Sequence, residues 1–236
     1  NALGTFNVLE CSRRYAPESR IVVASSNKVY GSLSSLELVK NANGYQPSAP
    51  EILAKGIDEG FAIEAYTPYS VSKITTDMLA GDYSKTFGLD AVSLRQSCVY
   101  GEDQMGEEAQ GWVSWFATAM KRGEAITIYG DGNQVRDLLH VCDLCRLYKL
   151  VLDTPKSKKP FPFYNVGGGV DNAASVLKVC EFIGSLGPVK PEITFDNFRL
   201  GDQKYFVSDN TRATSTFNWK PEIELKAGIT KLYESI

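Results

Sequence analysis

Histidine is the scarcest functional side chain in this 236-residue chain, with one copy, His140. A His-rich metal site is therefore impossible, and a Ser-His-Asp triad would rest wholly on that residue. Long apolar runs are missing too. None approaches the roughly 18–20 residues that span a bilayer, and no signal-peptide pattern opens the chain. Basic excess is absent, since the formal net charge is −3, so no field favours nucleic acid or an anionic membrane surface. Five scattered cysteines (Cys11, Cys98, Cys142, Cys145 and Cys180) are an odd number. They fit reduced thiols in the cytoplasm better than a disulfide framework. Cys142-x-x-Cys145 matches half of a redox or zinc motif, but no second pair completes it. The helical spacing of HVCDLCRLYKLVL reads as buried helix cysteines.

Hydrophobic residues make up 43% and charged residues 22%, which permits one good-sized core with a smaller lobe attached. Residues 2–13 have helical spacing. RIVVAS (20–25) is short, β-branched and apolar, the pattern of a parallel strand covered on both faces. Residues 31–65 read as a long polar loop, a type of segment that is usually functional. A helix follows from Pro68 to about Phe87, ended by Gly88, and LDAVSLRQS (89–97) is the next buried strand. This strand–loop–helix–strand order is a unit of a doubly wound parallel sheet, which makes the fold α/β.

Further on, GWVSWFATAMKRG is an amphipathic helix with a glycine stop, and AITIYGDGNQVRDLLHV reads as two strands about an Asp-Gly turn. Asp143 is expected to cap the following helix. FPFYNVGGG is a strand opening into glycines, a helix covers about 173–184, EITF is a small strand, and a closing helix follows Lys226. The glycines after Asn165 lack phosphate-loop spacing and read as a close-packed turn. The expected division is residues 1–105 as the sheet part and 106–236 as a mixed lobe, with segments around 130–170 returning to the sheet.

Two features carry chemistry. Tyr69-Ser-Val-Ser-Lys73 puts a phenol and an ammonium on one face of a helix. A nearby cation favours a phenolate over its ordinary pKa of about 10, so a tyrosine so placed can take a proton from a hydroxyl. Ser25-Ser26 ends the strand before this helix, and the carboxyl ends of such strands are where ligands bind.

SSNKVYG, YSVSK, LRQSCVYG, GDGNQVRDLLHV and NFRLGDQKYFVSD, in this order, resemble the extended short-chain dehydrogenase/reductases, the NAD-dependent nucleotide-sugar epimerases and dehydratases. The resemblance covers nearly the whole chain. It implies a Rossmann-like sheet, a smaller mixed α/β substrate-binding lobe, and NAD as cofactor. Ser26, Tyr69 and Lys73 would be the catalytic set. Tyr69 is the implied acid/base, Lys73 lowers its pKa and holds the nicotinamide ribose, Ser26 binds the reacting sugar oxygen, and Ser25 lies on the cofactor side.

Members that remove water from the sugar usually have an Asp-Glu pair after the catalytic hydroxyl residue. Here those positions are Asn27 and Lys28, so elimination is disfavoured and epimerisation favoured. NKVYG, YSVSK and QGWVSWF (110–116) are most similar to the 2-epimerases of CDP-linked dideoxyhexoses, which implies a CDP-sugar substrate. A UDP- or dTDP-sugar 4-epimerase is the alternative, and a sugar-nucleotide-binding module without catalysis is another. Arg136 and Arg199 are the candidates for the substrate pyrophosphate, because a guanidinium fork fits two phosphate oxygens. Gln110 and Trp112 are candidates for nucleotide contact, and Asn27 for the sugar.

The family's glycine fingerprint does not precede Ser26, since residues 1–25 hold one glycine, Gly4. The expectation is an amino-terminally truncated copy, missing the first strands of its sheet, that alone binds NAD weakly and has little activity. A homodimer built on the helices at 2–13 and 69–87 is expected from the same resemblance.

Overall fold

The computed structural model describes residues 1–158, 161–188 and 192–236. Its first half comprises α1 (Ala2–Tyr15), β1 (Arg20–Ser26), β2 (Leu38–Asn41), β3 (Gly44–Pro47), α2 (Pro50–Lys55), α3 (Pro68–Phe87), β4 (Asp90–Gln96) and β5 (Cys98–Tyr100). The second half runs through α4 (Trp112–Arg122), β6 (Ile126–Tyr129), β7 (Val135–His140), α5 (Val141–Asp153), β8 (Phe163–Val166), β9 (Ala173–Ser175) and α6 (Val176–Ser185). It closes with β10 (Ile193–Asp196), β11 (Tyr205–Phe206), α7 (Thr211–Phe217) and α8 (Leu225–Ser235).

β1, β4 and β8 form a parallel sheet in that order, with Ser26 level with Gln96. β8 thus returns to the first sheet from far along the chain. α3 makes the crossover between β1 and β4 and packs beside α1. A second sheet runs β11–β7–β5 in parallel, with β9 antiparallel on β7. One hydrophobic core lies between β4, β8, α5 and α7; another lies between α4, α6, α8 and the strands β6 and β7.

Several sequence expectations change. β1 is an edge of its sheet, so its apolar residues are covered unevenly: Val23 is buried, Ile21 and Val22 are half-buried and Ala24 is exposed. Residues 31–65 are not one irregular loop but include the β2–β3 hairpin and the short α2. The Asn-Gly at the hairpin tip was the available signal. Gly44 has φ +101, and a Cβ there would sit 2.5 Å from the Asn133 carbonyl, so the hairpin closes against the later lobe only with glycine.

The strands about the Asp-Gly turn exist but do not pair with each other. β6 pairs with β10, while β7 lies between β5 and β11. The link carries two glycines at positive φ, Gly130 and Gly132, and the Asp131 carboxylate accepts from Asn133 N at 3.0 Å, so it passes from one sheet to the other. Asp143 is not a cap. His140 Nδ1 accepts from Cys142 N at 3.3 Å, whereas the Asp143 carboxylate faces the tail and accepts from Glu222 N and Ile223 N at 3.0 and 2.9 Å. Cys142 and Cys145 are exposed, because α5 buries the stripe Leu144, Leu147 and Val151 instead. The helix expected over 173–184 begins as an edge strand, and Ser175 then caps α6.

Candidate active site

α3 starts in a fixed place. Thr67 Oγ1 accepts from Ser70 N at 3.1 Å, Ser70 Oγ accepts from Thr67 N at 2.8 Å, and Pro68 occupies the first helical position. Tyr69 therefore stands in the first turn, half exposed. One turn on, Lys73 Nζ lies 5.9 Å from the Tyr69 ring centre and donates to the Ala24 carbonyl of β1 at 2.7 Å. Burial pushes the Lys73 ammonium below its ordinary pKa.

Ser26 ends β1 and caps the 3-10 turn Asn27–Tyr30. Its Oγ accepts from Lys28 N and donates to Asn27 Oδ1, both at 3.2 Å. Ser25 is buried, and its Oγ has no partner among the described residues. A hydroxyl-bearing ligand at the carboxyl edge of β1 would meet Tyr69 and Lys73, with the unpartnered Ser25 oxygen buried behind that edge. These residues fit the ribose end of a nicotinamide dinucleotide.

A cavity of about 340 Å³ opens between the turn after β1, α3, α4, β6, β7 and the segment after β10. Tyr69, Trp112, Arg136 and Arg199 all line it, whereas Ser26, Lys73, Asn27 and Gln110 do not. Two of the candidates for substrate contact have other surroundings. Asn27 is buried and spends its amide on Gln203 Oε1 at 3.2 Å, tying the turn to the later lobe. Gln110 is exposed and bridged through its backbone to Glu107, because the chain doubles back there before α4 begins.

The two arginines differ. Arg136 is buried; it donates to Asp202 Oδ1 and to the Val135 carbonyl at 2.7 Å each, and also to the Gln203 carbonyl. Arg199 is exposed, lies 3.9 Å over the Tyr129 ring and donates to the Glu108 carbonyl at 2.8 Å. Trp112 meets Phe116 edge-on at 5.6 Å, giving the cavity an apolar flank.

Sequence reasoning missed Lys28 and Asp202. Lys28 Nζ donates to Asp202 Oδ1 at 3.2 Å and to the Gly201 carbonyl at 3.4 Å, and both side chains line the cavity. Burial, then the Arg136 charge, push Lys28 below the ordinary lysine pKa despite Asp202. Burial works to raise the Asp202 carboxyl, but Arg136 and Lys28 outweigh it and hold it below the usual carboxylate range. The signal for Asp202 was the acid three residues after Arg199 in NFRLGDQK. Cys98 also lines the cavity, and burial pushes its thiol up.

Known proteins with this architecture are similar along nearly all of the chain. A CDP-paratose 2-epimerase of Salmonella typhi is 34% identical over 99% of this chain and 70% of its own length. A putative UDP-glucose 4-epimerase of Methanocaldococcus jannaschii is 30% identical over 98% of this chain and 67% of its own. The crystal structure of Thermus thermophilus UDP-glucose 4-epimerase in complex with NAD superposes with a TM-score of 0.80 at 26% identity, covering 99% of this chain and 68% of that one. Residues 1–167 match one family outright, and with these relatives they show that the chain belongs to the NAD dependent epimerase/dehydratase family.

Proposed function

We propose that the protein is a nucleotide-sugar epimerase that inverts C2 of a CDP-linked dideoxyhexose. The observation that supports this reading is the cavity at the start of α3. Its wall holds Tyr69, a proton-handling group, and Arg136 and Arg199, two guanidinium groups suited to a diphosphate. The similarity to CDP-paratose 2-epimerase favours the sugar and its position.

In this reading Tyr69 removes the proton of the 2-hydroxyl, retains it, and returns it to the carbonyl oxygen after the sugar has presented its other face. NAD, when bound, supplies the acceptor and donor of the C2 hydride, so no net redox change results. Lys73 stabilises the phenolate and, with Tyr69 and Ser25, holds the cofactor's ribose. Ser26 hydrogen-bonds the reacting oxygen, exchanging its present contact with Asn27. Neither Asn27 nor Lys28 is a carboxylic acid, which weighs against elimination of water.

The relatives include UDP-glucose 4-epimerases, so inversion at C4 of a UDP-sugar is the second reading. α1 and α3 leave Leu3, Phe6, Val8, Val71, Met78 and Phe87 exposed, which supports a homodimer closed over these helices. Among the described residues no helix is long and apolar enough to cross a membrane. The deciding experiment incubates the protein with CDP-paratose in deuterium oxide at an excess of NAD that offsets the weak cofactor binding expected above. Inversion at C2 without deuterium there is expected, and deuterium incorporated at C2 would sink the mechanism.

A further inference from the structure

Lys28 and Asp202 take no part in the reaction just described, yet they form a polar pair in the wall of its cavity, beside Tyr69. An ammonium has three N–H groups. Two of them meet Asp202 Oδ1 and the Gly201 carbonyl, and the third has no partner among the described residues. The carboxylate is divided in the same way. Oδ1 accepts from Lys28, from Arg136 and from Gln203 N at 3.1 Å, whereas Oδ2 accepts from nothing described.

The pair therefore offers the cavity one free donor and one free acceptor. A sugar hydroxyl, which accepts and donates, satisfies both at once. A phosphate offers only acceptors and would be repelled by Oδ2. The pair is also built in advance. Asn27 Nδ2 donates to Gln203 Oε1 at 3.2 Å and Gln203 Nε2 to the Gly31 carbonyl at 2.8 Å, so the turn that carries Lys28 and the segment that carries Asp202 are fixed against each other.

We propose that Lys28 and Asp202 are a specificity-determining pair that reads hydroxyl groups of the hexose, leaving the diphosphate to the arginines. The inference rests on the nucleotide-sugar reading above and adds the residues that select the sugar.

Calorimetric titration tests it, with CDP-paratose and UDP-glucose each set against its own nucleoside diphosphate. For the better pair, the wild type is expected to bind the sugar-bearing ligand about tenfold or more tighter, as a hydrogen bond to a charged group allows. Lys28→Met should bring that ratio close to one, weakening the sugar-bearing ligand far more than the diphosphate, which loses only the distant attraction of one charge. Lys28→Gln, which keeps a donor, should fall between, and it serves if Lys28→Met does not fold. An unchanged ratio, or an equal loss for both ligands, overturns the pair as a sugar reader. Absence of binding by all four ligands to a folded wild type overturns the nucleotide-sugar reading itself, and this inference with it.

Discussion

Asp77 on α3 and Arg95 on β4 form an ion pair sealed from solvent, with side chains 0% and 2% exposed. Asp77 Oδ2 accepts from Arg95 Nη2 at 2.7 Å and Nε at 3.0 Å, and Oδ1 accepts from Ser93 Oγ at 2.6 Å. Arg95 Nη1 continues to the Tyr30 hydroxyl at 2.9 Å, and Tyr30 donates to Asn165 Oδ1 at 2.7 Å. The helix that carries Tyr69 and Lys73 is thereby tied to β4, to the turn after Ser26 and to β8. Removing one partner strands a buried charge, so Asp77→Ala should cost about 3–5 kcal/mol in urea denaturation. Asp77→Leu with Arg95→Met should cost far less. A loss below about 1 kcal/mol for the single variant would show that this pair does not anchor the helix.

Tyr69→Phe separates chemistry from stability. Tyr69 is half exposed, and its hydroxyl makes no hydrogen bond among the described residues. The variant should therefore unfold within about 0.5 kcal/mol of the wild type. Epimerisation by the NAD-loaded protein should fall by about 10²–10⁴-fold, the usual contribution of a positioned acid/base. Normal turnover by the variant would remove Tyr69 from the acid/base role.

The features legible in the sequence were those written in neighbouring residues. The bounds of α3 follow from Pro68 and Gly88, and Tyr69 and Lys73 are one helical turn apart by spacing alone. What stayed hidden depends on partners far along the chain. Asn27 looked available to a ligand, but Gln203, 176 residues away, takes its amide. Lys28 read only as a missing acid, because nothing local announces Asp202, 174 residues on. Cys142 and Cys145 fit the core by composition, yet which stripe of α5 faces inward is decided by β4, β8 and α7. Likewise, β6 and β7 have strand pattern and a turn between them, but their neighbours come from elsewhere.

Acid stability should report on Asp202. Its folded pKa lies below the ordinary 3.8, so the charged form is favoured by folding. That contribution is fully present above about pH 4 and is lost as pH falls through the folded value, because the unfolded chain binds the proton first. Lys28 has the opposite type of shift. Its folded pKa is depressed below 10.5, so its contribution to stability rises with pH between the folded value and 10.5. Asp202→Asn should lower Tm at neutral pH and flatten the fall in Tm between pH 5 and 3. Parallel profiles for variant and wild type would contradict the charge coupling among Asp202, Lys28 and Arg136.

The two arginines of the cavity should respond differently to truncation. Arg199 is exposed, its guanidinium resting on Tyr129 and bonded to one carbonyl, so Arg199→Ala removes little that the fold depends on. Its stability should change by less than about 1 kcal/mol, while nucleoside diphosphate affinity drops about tenfold or more. Arg136 is buried among Asp202 and two carbonyls. Arg136→Ala leaves those acceptors unmet and should lower stability by about 3 kcal/mol as well as affinity. Denaturant titration and calorimetry on the same preparations separate the two effects. If Arg199→Ala retained full diphosphate affinity, the diphosphate would have to be placed on other residues of the cavity.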